Sequence, residues 1–352
     1  MRVLSVVGAR PQFIKAAPIF RAALELGIDH QIVHTGQHYD ATLSENIFLD
    51  MGIPSPIVNL DVGSGTHSYQ TSEIMRRIEK TFEEHHPDWV LVYGDTNSTL
   101  AAALVAVQMN VKTAHIESGL RSFDKSMPEE INRVITDHVT DLLFAPTQGA
   151  MNNLSNEGLG DRSILVGDVM YDAILWQLER NRSAEIAIPE LVPQAFYLVT
   201  IHRPENTDHR DRLHEVIQSL KMLDYPSVIP AHPRLVKQLE VFGISTTHPN
   251  LILIEPPNHS QLIEMVRLSR GVITDSGGLQ KETFFMGIKC TTVRRSTEWL
   301  ETLEDDWNIL LPDLSHLLET ATRTAPKRKP LGHFGDGSAA LLILKELLGT
   351  SN

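Results

Sequence analysis

Cysteine is nearly missing from this chain. Cys290 is the only one in 352 residues, so no disulfide can close within it. A lone thiol fits a reducing compartment, and a cytoplasmic location is the expectation. Aromatic residues make up only 6% of the chain, and no apolar run reaches the length that a membrane-spanning helix needs. Met1–Val7 is a strand pattern and lacks the length and flanks of a signal peptide. Long basic blocks are missing too. With a net charge of −13, neither nucleic acid nor a membrane is expected as the main partner. No cysteine cluster of zinc type accompanies the sixteen histidines, and no metal site is expected. Low-complexity segments and short repeats are also lacking. What remains is the composition of a soluble globular protein, 42% hydrophobic and 21% charged, long enough for two domains.

What is present is a rhythm of short strands and helices. Arg2–Val7 reads as a buried strand, followed by a turn at Gly8-Ala9-Arg10-Pro11 that opens a helix. Gln31–Thr35, Trp89–Tyr93 and Lys112–Ile116 are further strands, with helices expected from Ala41, over Thr71–Glu84 and over Thr99–Val107. Pro128 begins another helix with Glu129 and Glu130 in its first turn, as the helix dipole prefers. A helix runs from Thr147 to Glu157, and Ile164–Val166 leads into Gly167-Asp168. The polar segment Arg182–Pro193, with two prolines, reads as a linker. The alternation then restarts with strands Phe196–Ile201, Val228–Ile229, Leu251–Ile254, Gly271–Thr274 and Cys290–Val293. The fold class is therefore α/β, with parallel sheets and crossover helices. The expected domains are 1–181 and 194–336, with a last helix near Ser338–Leu348 (337–352) crossing back to the first.

Several polar residues follow directly on the strands. Ser276, Gly277 and Gly278 sit at a helix start after Gly271–Thr274, where unpaired N–H groups and the helix dipole favour an anion. Glu282 lies about one turn further, placed for hydroxyl groups rather than phosphate. A nucleotide diphosphate with its ribose would suit both; read alone, the stretch is also an ordinary capped helix. Arg10 and Lys15 bring two cations near the first helix start, although no Gly-x-Gly-x-x-Gly dinucleotide motif is present. Asp95 and Glu117 each follow an apolar strand, and Glu129 opens a helix after a short loop. In a parallel sheet these loops emerge along one edge, which would gather the three carboxylates for acid–base work. Taken singly, Asp95 and Glu117 read as turn or cap residues and Glu129 as helix-start charge. His202 ends a strand in His-Arg-Pro-Glu-Asn; His38, His232 and Arg234 are weaker candidates of the same kind.

Together these pieces resemble the non-hydrolysing UDP-N-acetylglucosamine 2-epimerases. The resemblance rests on Gly8–Lys15, Thr35–His38, Gly94–Thr96, His115–Arg121, Pro128–Arg133, Thr200–Asn206 and Asp275–Glu282, in the family's order along nearly the whole chain. It implies two Rossmann-like domains of GT-B type with the active site between them, a homodimer, and inversion at C2 of the sugar without a redox cofactor. It also implies that Arg10, Ser276, Gly277 and Gly278 hold the pyrophosphate, that Glu282 holds the ribose and that His202 lies by the diphosphate. Asp95, Glu117 and Glu129 match the family's catalytic acids, with Lys15 and Arg133 in matched motifs beside them. The product would feed surface polysaccharide, and relatives suggest a second, regulatory UDP-sugar position through segments such as Gln37-His38 and Gln70.

Three departures stand out: Ser118 where the family often has Ala, Lys281-Glu282 where it often has two acids, and Thr297-Glu298-Trp299-Leu300-Glu301 where Thr-Glu-Arg-Pro-Glu is common. The last two look more like the branch acting on UDP-2,3-diacetamido-2,3-dideoxy-glucuronate, whose C6 carboxylate would want a cation such as Arg294, Arg295 or Arg121. A GT-B glycosyltransferase, a hydrolysing epimerase and a non-catalytic nucleotide-sugar sensor are the competing readings.

Overall fold

The structure is a computed structural model that describes residues 1–37, 48, 50–183, 191–327 and 332–350. His38, the helix expected from Ala41 and most of the expected linker lie outside the described residues. The chain forms two compact units, one of Met1–Leu175 with Gly332–Asn352, the other of Trp176–Leu331. The division falls inside the helix Val169–Ser183, against expected edges at 181 and 337.

In the first unit the strands are β1 (Arg2–Val7), β2 (Asp29–His34), β3 (Val58–Asn59), β4 (Trp89–Tyr93), β5 (Lys112–Ile116), β6 (Leu142–Ala145) and β7 (Ser163–Leu165). Their order across the sheet is β3-β2-β1-β4-β5-β6-β7, and every described pairing is parallel. Strand order reverses between β1 and β4, the switch point beside which α/β sheets of this kind bind ligands. Both strands are central and buried on two faces, which explains their unbroken apolar runs: Val3, Leu4, Val6, Val7 and Val90–Tyr93 have no exposed surface. Helix Asn97–Gln108 packs beside helices His67–His85 and Pro128–Val139. Its Ala101, Ala102, Ala103 and Ala106 are fully buried, and their small side chains permit that close approach.

The second unit repeats the plan with β8 (Tyr197–Thr200), β9 (Ser227–Pro230), β10 (Leu251–Ile254), β11 (Gly271–Thr274), β12 (Cys290–Thr292) and β13 (Asn308–Leu310). The order is β10-β9-β8-β11-β12-β13, again parallel. Helix Arg210–Lys221 places Leu213, Val216, Ile217 and Leu220 in one core with Tyr197 and Val199 of β8. Their i, i+3, i+4, i+7 spacing is the stripe that an amphipathic helix turns toward a sheet.

The last helix, Ala339–Gly349, packs against the first, Arg10–Leu26, and buries Ile343, Leu344 and Leu347. Its first turn is held by Asp172, whose carboxylate accepts from the Ala339 and Ala340 amides at 3.3 and 2.8 Å. Burial pushes the Asp172 carboxyl up to about 6, against the pull of those amides. The folded state therefore holds this proton more tightly than the unfolded chain, where the usual value is 3.8. The residue's contribution to stability is complete below about 4 and is lost as pH rises through about 6. The stability of the native protein relative to Asp172→Asn should thus fall over that window in paired thermal unfolding scans. A difference constant with pH would remove the linkage.

Candidate active site

Three short turns and one helix build the first unit's polar edge. β1 ends at Gly8, and a Cβ there would sit 2.1 Å from Ser98 Oγ and 2.3 Å from Thr35 Oγ1, so only glycine fits. Gln12, next along the Arg-Pro-Gln motif, stitches this turn to the end of β4. Its Oε1 accepts from the Gly8 and Ala9 amides at 2.7 and 3.1 Å, and its Nε2 donates to the Tyr93 carbonyl at 2.8 Å. Sequence reasoning passed over Gln12; its place at the third helical position of an uncapped helix was the available signal.

β4 ends at Gly94, whose φ of +64° turns the chain so that Asp95 leaves the sheet edge. Arg133 pairs with the Asp95 carboxylate, and Asn132 Nδ2 donates to the Asp95 carbonyl at 2.9 Å. β5 ends at Glu117, which pairs with Lys15 from the first helix. Both partners of that pair are nearly buried, at 9% and 8% exposure, so the charges are mutually required. Arg133 also reaches Glu130, at 3.2 Å, and Glu130 in turn accepts from the Ser122 and Phe123 amides. Glu130 is therefore structural, whereas its neighbour Glu129 is exposed. Asp95 and Glu129 share a pocket of about 410 Å³ with Gln37, Gln70, Asn97 and Asn132. The Asp95 side chain keeps 31% of its surface open, while burial pushes its carboxyl above the usual range against the pull of Arg133 and Lys15. A carboxyl shifted in this direction is better suited to exchange a proton near neutral pH.

Arg10 is exposed at the first position of its helix. Arg121 does not join the acids of the pocket: its guanidinium is tied to Asp137 and Glu157, each at 2.7 Å, and is only 2% exposed. His30, His34 and His38 recur every four residues, the spacing that pairs metal ligands on a helix. His30 and His34 instead lie on β2, where His30 bonds Ser5 at 2.7 Å and His34 packs edge-on to Phe13. Among the described residues no cluster fit to hold a metal occurs.

In the second unit β11 runs into Asp275, Ser276 and the helix Gly277–Phe285. Ser276 caps that helix, its Oγ accepting from the Leu279 amide. Asp275 is fully buried and ties the turn after β8 to this one. It accepts from the His202 and Arg203 amides at 3.1 and 2.9 Å and from Asn206 Nδ2 at 3.1 Å. Its carboxylate also lies 3.2 Å from His202 Nδ1, and that ring keeps 35% of its surface exposed. The His232 ring stands 5.1 Å from it. The space that a side chain at 277 would take is 2.8 Å from Glu298 Oε1, 3.8 Å from Arg294 Nη1 and 3.9 Å from Arg203 Nη2. Two guanidinium groups thus meet at a helix N-terminus, a setting for a diphosphate. Arg203 was quoted only as part of a motif by the sequence reading. Arg294 also pairs with Glu298 at 3.2 Å. Glu282, nearly buried, lies 3.4 Å from His259 Nε2. Lys281 is buried too, with its ammonium 3.7 Å from the centre of the Trp299 ring, so two of the three departures from the family pattern meet in one contact.

The sequence profile described as UDP-N-acetylglucosamine 2-epimerase matches residues 22–348. The chain belongs to that family. A UDP-2,3-diacetamido-2,3-dideoxy-D-glucuronate 2-epimerase of Pseudomonas aeruginosa is 42% identical over 332 residues, 92% of each chain. A UDP-N-acetylglucosamine 2-epimerase homolog of Methanococcus maripaludis is 41% identical over 355 residues, 99% of each. Among solved structures, the Methanocaldococcus jannaschii UDP-GlcNAc 2-epimerase, crystallised with UDP-GlcNAc and UDP, superposes with a TM-score of 0.88 at 35% identity. That match covers 99% of this chain and all of the other. The two-sheet architecture is the family's GT-B-like arrangement of Rossmann-like domains.

Within this epimerase-family fold, Glu117 carries a backbone strain. Its φ is +69°, in the left-handed region where a Cβ costs about 1–2 kcal/mol. Both Glu117→Gly and Glu117→Ala remove the Lys15 partner; they differ in that strain and, in the opposite sense, in the glycine's greater freedom in the unfolded chain, worth about 0.4–1 kcal/mol. Chemical denaturation should find the glycine variant more stable, by up to about 1 kcal/mol; an alanine variant more stable than the glycine one would show that no strain is stored there.

Proposed function

We propose that the chain is an isomerase that interconverts UDP-N-acetylglucosamine and UDP-N-acetylmannosamine by elimination and re-addition of UDP, with no redox cofactor. The observation that carries this reading is the set of first-unit acids: Asp95 and Glu129 share one pocket, and Glu117 is held by Lys15, whose charge also acts on Asp95. Base removal of the C2 proton sends the C–H electron pair into a C1=C2 bond, and the C1–O pair leaves with UDP. Negative charge then grows on the departing phosphate, where helix-start amides, Arg203, Arg10 and His202 are suited to receive it. Re-addition with a proton from the opposite face of C2 needs a second acid, for which Asp95, Glu117 and Glu129 provide the groups. In this reading Ser276, Gly277 and Gly278 take the diphosphate and Glu282 the ribose.

The relative named for a diacetamido-glucuronate supports a second substrate reading, as does the Lys281–Trp299 contact. Of the three arginines that a C6 carboxylate would call on, Arg121 is committed to Asp137 and Glu157 and Arg294 to Glu298, while Arg295 is exposed. UDP-N-acetylglucosamine is therefore the first reading. Turnover of the uronate alone, in an NMR assay of C2 inversion on both sugars, would reverse that ranking. A cytoplasmic homodimer supplying polysaccharide synthesis completes the proposal. Ile131 and Ile135, one turn apart on helix Pro128–Val139 and 47% and 37% exposed, offer apolar surface for self-association. Light scattering that finds only monomer at micromolar concentration would remove the dimer.

Asp95→Asn and Glu117→Gln should each cut deuterium incorporation at C2 by at least about 100-fold while UDP still binds in calorimetry. Undiminished exchange in both variants would reject the acids as proton carriers, and UDP-sugar turnover only with an added acceptor, without exchange at C2, would favour a glycosyltransferase.

A further inference from the structure

His115 lies in the middle of β5 with no exposed surface and is not among the acids or the diphosphate groups. Its Nε2 is 2.7 Å from the carbonyl oxygen of Gly94, the residue immediately before Asp95. A carbonyl only accepts, so Nε2 carries a hydrogen. Its Nδ1 is 2.6 Å from Asp137 Oδ1. The other oxygen of Asp137 accepts from the Gly119 amide at 3.0 Å and from Arg121 Nη1 at 2.7 Å, and Gly119 is two residues beyond Glu117. Burial pushes the Asp137 carboxyl up, but His115 and Arg121 outweigh it and hold it below the usual carboxylate range. The imidazole thus bridges the Gly94 carbonyl and the Asp137 carboxylate inside the unit.

The bonds of this pair end on the two turns that carry the proton-transfer candidates. On one side they fix the Gly94–Asp95 peptide; on the other they fix the backbone just past Glu117, whose own conformation is strained. Helix Pro128–Val139 supplies Asp137 together with Asn132 and Arg133, which grip Asp95 directly, so one rigid element sets Asp95 from both ends. Arg121 and Glu157 extend the network outward, away from the turns.

We infer that His115 and Asp137 act as a positioning pair that holds the Asp95 and Glu117 turns in register for proton transfer at the sugar. The inference rests on the reading of Asp95 and Glu117 as the proton carriers. Neither His115 nor Asp137 touches substrate.

In the full-length protein, His115→Gln and Asp137→Asn should lower kcat by about 100-fold, the scale of a misplacement near 1 Å. KM for the UDP-sugar and calorimetric affinity for UDP should change little. Glu157→Gln, which removes only the outer partner, should lower the melting temperature without lowering kcat. If all three variants lose activity in proportion to lost stability, the pair is merely structural and the inference falls. A second measurement reads the bond directly: ¹⁵N NMR of histidine-labelled protein should show one ring whose Nε2 carries a hydrogen protected from exchange, a signal absent from His115→Asn. A ring with no hydrogen on Nε2 would overturn the bond to the Gly94 carbonyl. Failure of Asp95→Asn and Glu117→Gln to reduce deuterium exchange would instead sink the proton-carrier reading, while full activity in His115→Gln beside inactive Asp95→Asn would sink this inference alone.

Discussion

Carboxylates drawn out of bulk water must be given partners, and the first unit is organised by that requirement. Glu117 is matched with Lys15, Asp95 and Glu130 share Arg133, and Asp137 is matched with His115 and Arg121. Breaking any one of these buried pairs leaves a charge that the interior cannot solvate, at a cost of roughly 3–5 kcal/mol. The pairing therefore fixes backbone as well as side chains. It locates the turns after β4 and β5, and among the described residues Asp95 and Glu129 are the acids that line the pocket.

The second unit meets a different requirement with the same plan. Its central carboxylate, Asp275, satisfies amides of the neighbouring turn rather than a cation, which leaves Arg203 and Arg294 at the mouth of the helix start. Arg203 stands at that helix start beside Arg294, which is paired with Glu298, whereas the first unit encloses its cations to tune its own acids.

Sequence patterns showed the central strands because those are buried on both faces, and a continuous run such as Trp89–Tyr93 has no other reading among short elements. Edge strands β3 and β13 were not legible, being two and three residues long and only partly buried. Helix Val169–Ser183 was missed because it carries no sharp apolar stripe where it passes from one unit to the other. At the site, Asp95, Glu117 and Glu129 could be singled out because acids after apolar strands are conspicuous. Arg121 looked equally conspicuous, yet its partner Glu157 is 36 residues away and no local pattern announces it. His115 was quoted in a motif but not weighed, since a histidine inside a strand reads as core; only the position of the Gly94 carbonyl shows what it holds.

The Lys281–Trp299 contact has an evolutionary consequence. An ammonium rests favourably on the electron-rich face of an indole, whereas a carboxylate in that place would be repelled by it. An acid at 281 is therefore disfavoured while Trp299 remains, by an amount on the order of 0.5–2 kcal/mol, so the two positions are expected to change together.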